Sequence, residues 1–106
     1  MVSQHYQNQR NEREKVINEH LGGDGKVVDS FIINKGHKNG LERHVITDNG
    51  IIIIYNLRNK KLVSKLIARP FQITRYYQLT GRRYPKGHRK LLALAKKHQI
   101  LGYNEL

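Results

Sequence analysis

The chain has 106 residues, with no Cys, no Trp, six Tyr, six His, and 20 Lys or Arg against 8 Asp or Glu, a formal charge of +12 at pH 7. That length predicts a single domain over residues 1–106 with a modest core, and the absence of Cys excludes a disulfide framework, a thiolate metal site and a cysteine nucleophile. No apolar run approaches the roughly 20 residues that span a bilayer, and the polar start MVSQHYQNQRNEREK lacks the apolar stretch of a signal peptide, so the expectation is a cytoplasmic protein, bacterial or of a phage-infected cell, with no membrane partner.

Residues 4–21 are polar, free of Pro and Gly, and bring Tyr6, Arg13, Ile17 and Leu21 onto one stripe with Val16 beside it. They predict a helix with a thin apolar face, stopped by Gly22-Gly23, so that residues 1–23 form an N-terminal helical unit. Gly22–Gly25 predict a turn. Val27–Asn34 (VVDSFIIN) is β-branched and aromatic and predicts a strand, and Lys35–Gly40 is a loop with two Gly and two Lys. Leu41–Asp48 alternates, Asn49-Gly50 follows, then Ile51–Asn56; Asn-Gly between two such runs is a strong hairpin signal, because a type I′ turn needs positive φ at both central residues. A two-residue turn there pairs Asp48 with Ile51, Ile46 with Ile53, and His44 with Tyr55.

Four consecutive Ile predict a strand buried on both faces, hence a central one. A turn near Arg58-Asn59-Lys60 leads to a strand over Lys61–Ala68. Two registers stay open for it: a turn at Asn59-Lys60 pairs Ile53 with Leu66 and Tyr55 with Ser64, and a four-residue turn shifts this. Phe71–Leu79 predicts a short helix opened by Pro70. Thr80–Tyr84 is a basic loop. Pro85 is expected to open the last helix, in which Leu91, Leu94, Ala95 and His98 share a stripe, with Leu92 and Leu101 alongside and Gly102 closing it. The order predicts an α+β fold: an N-terminal helix, an antiparallel sheet of about four strands over residues 26–69, and, in residues 70–106, a basic loop and a C-terminal helix packed on one face.

The charge is uneven. Residues 1–30 hold four Lys or Arg against five Asp or Glu, a net of −1, whereas residues 31–106 hold sixteen against three, a net of +13. Such an asymmetry points to a polyanion, above all nucleic acid, against the plainer reading of a solvated face. The same count makes metal chemistry an unattractive expectation. A two-metal nuclease needs several carboxylates, and the basic region offers Glu42, Asp48 and Glu105, far apart in sequence. No two His are spaced i, i+4 on a predicted helix, so neither a metal nor a cofactor is expected.

An enzyme so built would act on RNA, whose 2′-hydroxyl can attack its own phosphate given acid–base groups and cations. His44 is the first candidate, as an acid–base group on the open sheet face or, alternatively, as a half-buried strand His. Gln72, Arg75 and Tyr76 share one face of the predicted short helix and can hold a phosphate and a base together, with Arg69 just before them; a surface turn is the plainer reading. Lys35, His37 and Lys38 in the Gly-flanked loop, Arg43 and Lys65 on strands, and Arg82, Arg83, Lys86, Arg89 and Lys90 form the expected nucleic-acid-binding set. His98 is expected to pack.

The phrases Gly40-Leu41-Glu42-Arg43-His44-Val45-Ile46-Thr47 and Lys61–Pro70 (KLVSKLIARP), in this architecture, resemble strand segments of phage-borne members of the ribonuclease superfamily that unites barnase, EndoU-type nucleases, colicin D-type tRNases and RelE toxins. The resemblance covers residues 26–80. It implies metal-independent RNA cleavage to a 2′,3′-cyclic phosphate, a site of His44, Arg69, Arg75, Tyr76 and Ser64, and a protein partner such as an antitoxin or host factor. Two features depart from it. The last helix lies beyond the usual end of that fold, and Glu42 is the only candidate for a barnase-like Glu base. The competing expectation is a non-catalytic phage protein that binds nucleic acid, RNA before DNA, or inhibits a host nucleic-acid machine.

Overall fold

The computed structural model describes residues 4–38 and 40–105, with side chains from Asn8 onward. Helix α1 spans Gln4–Glu19. Its inner stripe is as expected: Ile17 is fully buried and Arg13 is buried beside it, with Val16 and Leu21 packing on the same cluster. The Tyr6 side chain assigned to that stripe lies outside the described residues. The helix ends where Leu21 N–H reaches back to Val16 O at 3.2 Å, a six-to-one closure that satisfies a terminal carbonyl, and Gly23 N–H then bonds Ile17 O at 2.9 Å.

Strands β1 (Val27–Asn34), β2 (Leu41–Thr47), β3 (Ile51–Asn56) and β4 (Leu62–Ile67) follow as one antiparallel sheet in the order β1-β2-β3-β4. Helices α2 (Pro70–Thr80) and α3 (His88–Ile100) and a short 3-10 turn (Tyr103–Glu105) complete the chain. The architecture is α+β, and β3 is an inner strand. Its Ile run alternates between two cores. Ile52 and Ile54 join Phe31, Ile46, Ile73, Tyr77, Leu91 and Ala95 under α2 and α3, while Ile51 and Ile53 join Ile17, Val45 and Ile67 under α1. The C-terminal helices therefore cover one face and α1 the other. Truncating a residue such as Ile52, 1% exposed, to Ala costs about 2–5 kcal/mol of transfer and cavity energy.

The β2–β3 turn differs from expectation. A type I′ turn needs positive φ at Asn49 as well as Gly50; Gly50 has φ +76, but Asn49 does not share this conformation. Instead Gly50 N–H bonds Thr47 O at 3.1 Å, and the strands pair Ile46 with Ile52, Val45 with Ile53 and His44 with Ile54. This is a three-residue loop closed by a left-handed Gly. Tertiary anchoring explains the choice. Asn49 Nδ2 donates to Leu21 O at 2.9 Å and Gly23 O at 2.8 Å, and Asp48 Oδ1 accepts from Lys26 N–H at 2.8 Å. The slip of one residue moves His44 from Tyr55 to Ile54, and so decides which side chains share its face. Strand β4 takes the shifted register, Ile53 against Lys65 and Ile54 against Ser64, with a bulge before Tyr55 pairs Leu62.

Helix α2 has Pro70 at its first turn, as read from the sequence, and Gln72 Oε1 accepts from Arg69 N–H at 2.8 Å. The last helix starts three residues later than expected. Gly87, at φ +90, sits at its N-cap outside helical space, and Pro85 opens only the preceding turn, its carbonyl accepting from His88 N–H at 3.1 Å.

Candidate active site

Glu42 and His44 stand two residues apart on β2, so the strand puts both on one face. Pairing sets His44 between Phe31 of β1 and Ile54 of β3. From α2, Tyr76 comes down on this row. Tyr76 Oη lies 2.6 Å from His44 Nδ1, His44 Nε2 lies 2.9 Å from Glu42 Oε1, and Lys35 Nζ lies 3.3 Å from the same carboxylate oxygen. A carboxylate only accepts, so His44 Nε2 carries the proton shared with Glu42; in that neutral tautomer Nδ1 accepts from the Tyr76 hydroxyl, and in the imidazolium it donates to the Tyr76 oxygen. The result is one carboxylate–imidazole–phenol chain. Glu42 and His44 are 6% and 8% exposed, so the hydrogen bonds form in a low-dielectric setting that strengthens them.

The environment tunes both ends of the chain. Burial alone would raise the Glu42 carboxyl, but hydrogen bonds from His44 and Lys35 outweigh it and hold the group below its ordinary value. Tyr76 is pushed up to about 12, chiefly by burial, with the Arg75 charge opposing and the Glu42 charge reinforcing. The phenol is protonated at neutral pH, as an ordinary tyrosine is, and the shift makes it a weaker acid still. Beside it a cavity of about 320 Å³ is lined by Lys35, His44, Gln72, Arg75 and Tyr76, with Ile33, Ile52, Leu66 and the exposed Leu79 as its apolar lining. The Tyr76 ring stacks on Phe31 at 5.2 Å, and the Arg82 guanidinium covers Phe31 at 3.9 Å.

Of the residues singled out from the sequence, His44, Tyr76, Arg75, Gln72 and Lys35 meet at this cavity. Others lie elsewhere. Ser64 is two strands from His44 and does not line the cavity. Arg69 serves as the N-cap of α2 through its backbone. Arg43 points to the other face, where its Nη1 donates to Ser30 Oγ at 2.9 Å. Lys65 is on that face too, paired with Glu14 and Asp24 at 3.1 Å each. Arg82 is engaged by Asp29 Oδ1 at 3.0 Å and donates to Ser30 O at 2.7 Å. His37 and Lys38 are exposed in the loop before β2, whose Asn39 lies outside the described residues, and Arg83, Lys86, Arg89 and Lys90 are exposed around α3. His98 packs as expected, 3% exposed. Glu42, in the sequence only the one candidate for a Glu base, joins this site directly; its sequence signal is the Glu-x-His spacing on a strand.

Among the described residues no three His, Cys, Asp or Glu gather as metal ligands would, and no helix is long and apolar enough to cross a membrane. Compared with protein-family models, curated proteins and solved structures, the chain matches none.

Proposed function

We propose that the chain is a metal-independent endoribonuclease, with Glu42–His44–Tyr76 as the proton-transfer group and Arg75 and Lys35 as the cations facing phosphate. The observation that carries this reading is the hydrogen-bonded carboxylate–imidazole–phenol chain at a cation-rimmed cavity, on a protein of charge +12. A buried acid–base series beside a cavity is the usual physical mark of a functional site. The resemblance to the barnase–RelE group points the same way.

The geometry supports the following course. The RNA 2′-oxygen bonds to phosphorus as its proton passes to Tyr76 Oη and the Tyr76 proton moves to His44 Nδ1. Glu42 balances the imidazolium so formed. The P–O5′ bond breaks, leaving a 2′,3′-cyclic phosphate and a 5′-hydroxyl whose proton comes from solvent at the open rim. Arg75 and Lys35 face the charge that builds on the phosphorane. The test is incubation of tRNA, messenger RNA and ribosomal RNA with purified protein in EDTA. Cleavage that His44→Ala and Arg75→Ala abolish supports the reading; intact RNA, or undiminished cleavage by the variants, removes it.

A second reading has its own observation. Both His44 nitrogens are engaged, as in a buried polar cluster that serves only the fold. On that reading the protein binds nucleic acid, or a host or antitoxin-like protein, without turnover; binding that is steeply salt-dependent, with no cleavage, would favour it.

A further inference from the structure

The α2 face carries a second aromatic group that the proton-transfer chain does not use. Tyr84, in the loop between α2 and α3, stacks on His88 with ring centroids 4.1 Å apart and planes 16° apart, and meets Tyr77 edge-on at 5.4 Å. His88 is buried and in turn edge-on to Tyr77 at 5.5 Å. The Tyr84 ring is therefore fixed from beneath, yet the residue is 49% exposed, so a π-face is left to solvent. The surrounding sequence is cationic; in space, Asp29 accepts from Tyr77 Oη at 3.0 Å and Asp48 shares a groove with Lys86 and Lys90. Residues 49–104 contain thirteen Lys or Arg and no Asp or Glu, and Arg83, Lys86, Arg89 and Lys90 are exposed and absent from the ion pairs among the described residues. Beneath the surface, ring contacts tie this cluster to the candidate active site: Tyr77 to Phe31 at 5.1 Å, Phe31 to Tyr76 at 5.2 Å and Tyr76 to His44 at 5.5 Å, with Tyr77 and Phe31 themselves 1% and 3% exposed.

A rigid, half-exposed ring amid unpaired cations suits one ligand chemistry. A nucleobase offers a π-face, and its phosphates suit the Arg and Lys side chains. A duplex keeps its bases stacked inside and presents no free face. We infer that Tyr84 is the stacking platform for an unpaired base of single-stranded RNA, whose phosphates follow Arg83, Lys86, Arg89 and Lys90 and whose chain leads on to Tyr76. The inference takes its ligand from the nucleic-acid reading above but does not require cleavage. The preorganised ring pays little entropy on stacking, because its contacts with His88 and Tyr77 already hold it.

The chain has no Trp, so Tyr84→Trp places a single emitting indole at this spot. The probe is a short single-stranded oligodeoxynucleotide, which lacks the 2′-hydroxyl and cannot be cut by the proposed route, compared with a duplex of the same sequence. Single strands are expected to quench the emission and the duplex to leave it unchanged. Tyr84→Phe should bind single strands as wild type does, and Tyr84→Leu about five- to a hundredfold more weakly. Emission that stays constant at saturating single strand, equal quenching by the duplex, or a folded Tyr84→Leu that binds as tightly as wild type would each overturn the inference. Quenching without RNA cleavage leaves the platform standing and removes the ribonuclease; cleavage without quenching does the reverse.

Discussion

Replacing Tyr76 by Phe removes one oxygen and little else. The ring keeps its stack on Phe31 at 5.2 Å, so the apolar burial survives. What is lost is the hydroxyl 2.6 Å from His44 Nδ1, and with it the outer end of the proton chain. The stability cost is set by the stranded nitrogen. His44 is 8% exposed, and leaving a buried acceptor unsatisfied costs about 1–3 kcal/mol. The adjoining cavity of about 320 Å³ can admit a water to that nitrogen, which places the cost near the low end, about 1 kcal/mol. The catalytic cost is larger. Loss of a positioned acid–base group lowers rate by roughly 10²–10⁴, equivalent to about 3–5 kcal/mol of barrier. Two assays separate these: urea unfolding for stability, and cleavage of a labelled RNA in EDTA under single-turnover conditions for rate. A small shift in urea midpoint with a loss of two or more decades in rate is expected. A variant that cleaves within a few-fold of wild type would refute the assignment of Tyr76 to proton transfer, whatever its stability.

Stability should fall as pH drops below about 6.5. Burial lowers the pKa of His88 and of His98, the latter aided by Lys97, from 6.5; between the folded values and 6.5 the unfolded chain binds more protons, so stability is complete above that window and lost on descending through it. The difference in urea midpoint between pH 7.5 and 5.5 should shrink in His98→Leu. The Glu42 carboxyl is lowered from 4.5, so its stabilisation holds above 4.5 and disappears only as pH falls through its lower folded value; Glu42→Gln should flatten the stability curve in that acid range alone. Gly50→Ala should cost about 1–2 kcal/mol in the same unfolding assay, because its φ is +76 and an added Cβ would lie 3.4 Å from His98 Nδ1. Arg83→Ala and Lys86→Ala should each lower the slope of log affinity against log salt by about 1 in filter binding, without changing single-turnover cleavage at saturating RNA.

Much of this fold is legible residue by residue. The Ile51–Ile54 run reads as an inner strand because consecutive Ile need cover on both faces; α1 and α2–α3 supply it, burying Ile51, Ile52 and Ile53 and half-burying Ile54. Pro70 marks the start of α2, and the Gln72, Arg75, Tyr76 spacing brings these side chains to one cavity. Apart from the late start of α3, set locally by Gly87, the departures come from tertiary contacts overriding a local signal. Asn49 is a good type I′ residue in isolation, but its amide is drawn to the carbonyls of Leu21 and Gly23, and no local pattern announces that partner. The resulting one-residue slip decides what faces His44. Arg82 and Lys65 read as free phosphate binders, because sequence cannot show that Asp29, Glu14 and Asp24 fold back onto them. In the sequence Glu42 stands only as the one candidate for a barnase-like Glu base, without a partner. Its importance comes from position: i to i+2 on a strand places it beside His44, where Lys35 and the imidazole hold it ionised.

The central proposal is that the Glu42–His44–Tyr76 chain takes the proton of an RNA 2′-hydroxyl. End-group analysis of RNA incubated in EDTA with wild type and with His44→Ala tests it most directly. The account predicts 2′,3′-cyclic phosphate and 5′-hydroxyl ends from the wild type, and none from the variant. Intact RNA, 5′-phosphate ends, or cyclic phosphates made equally well without His44 would contradict it.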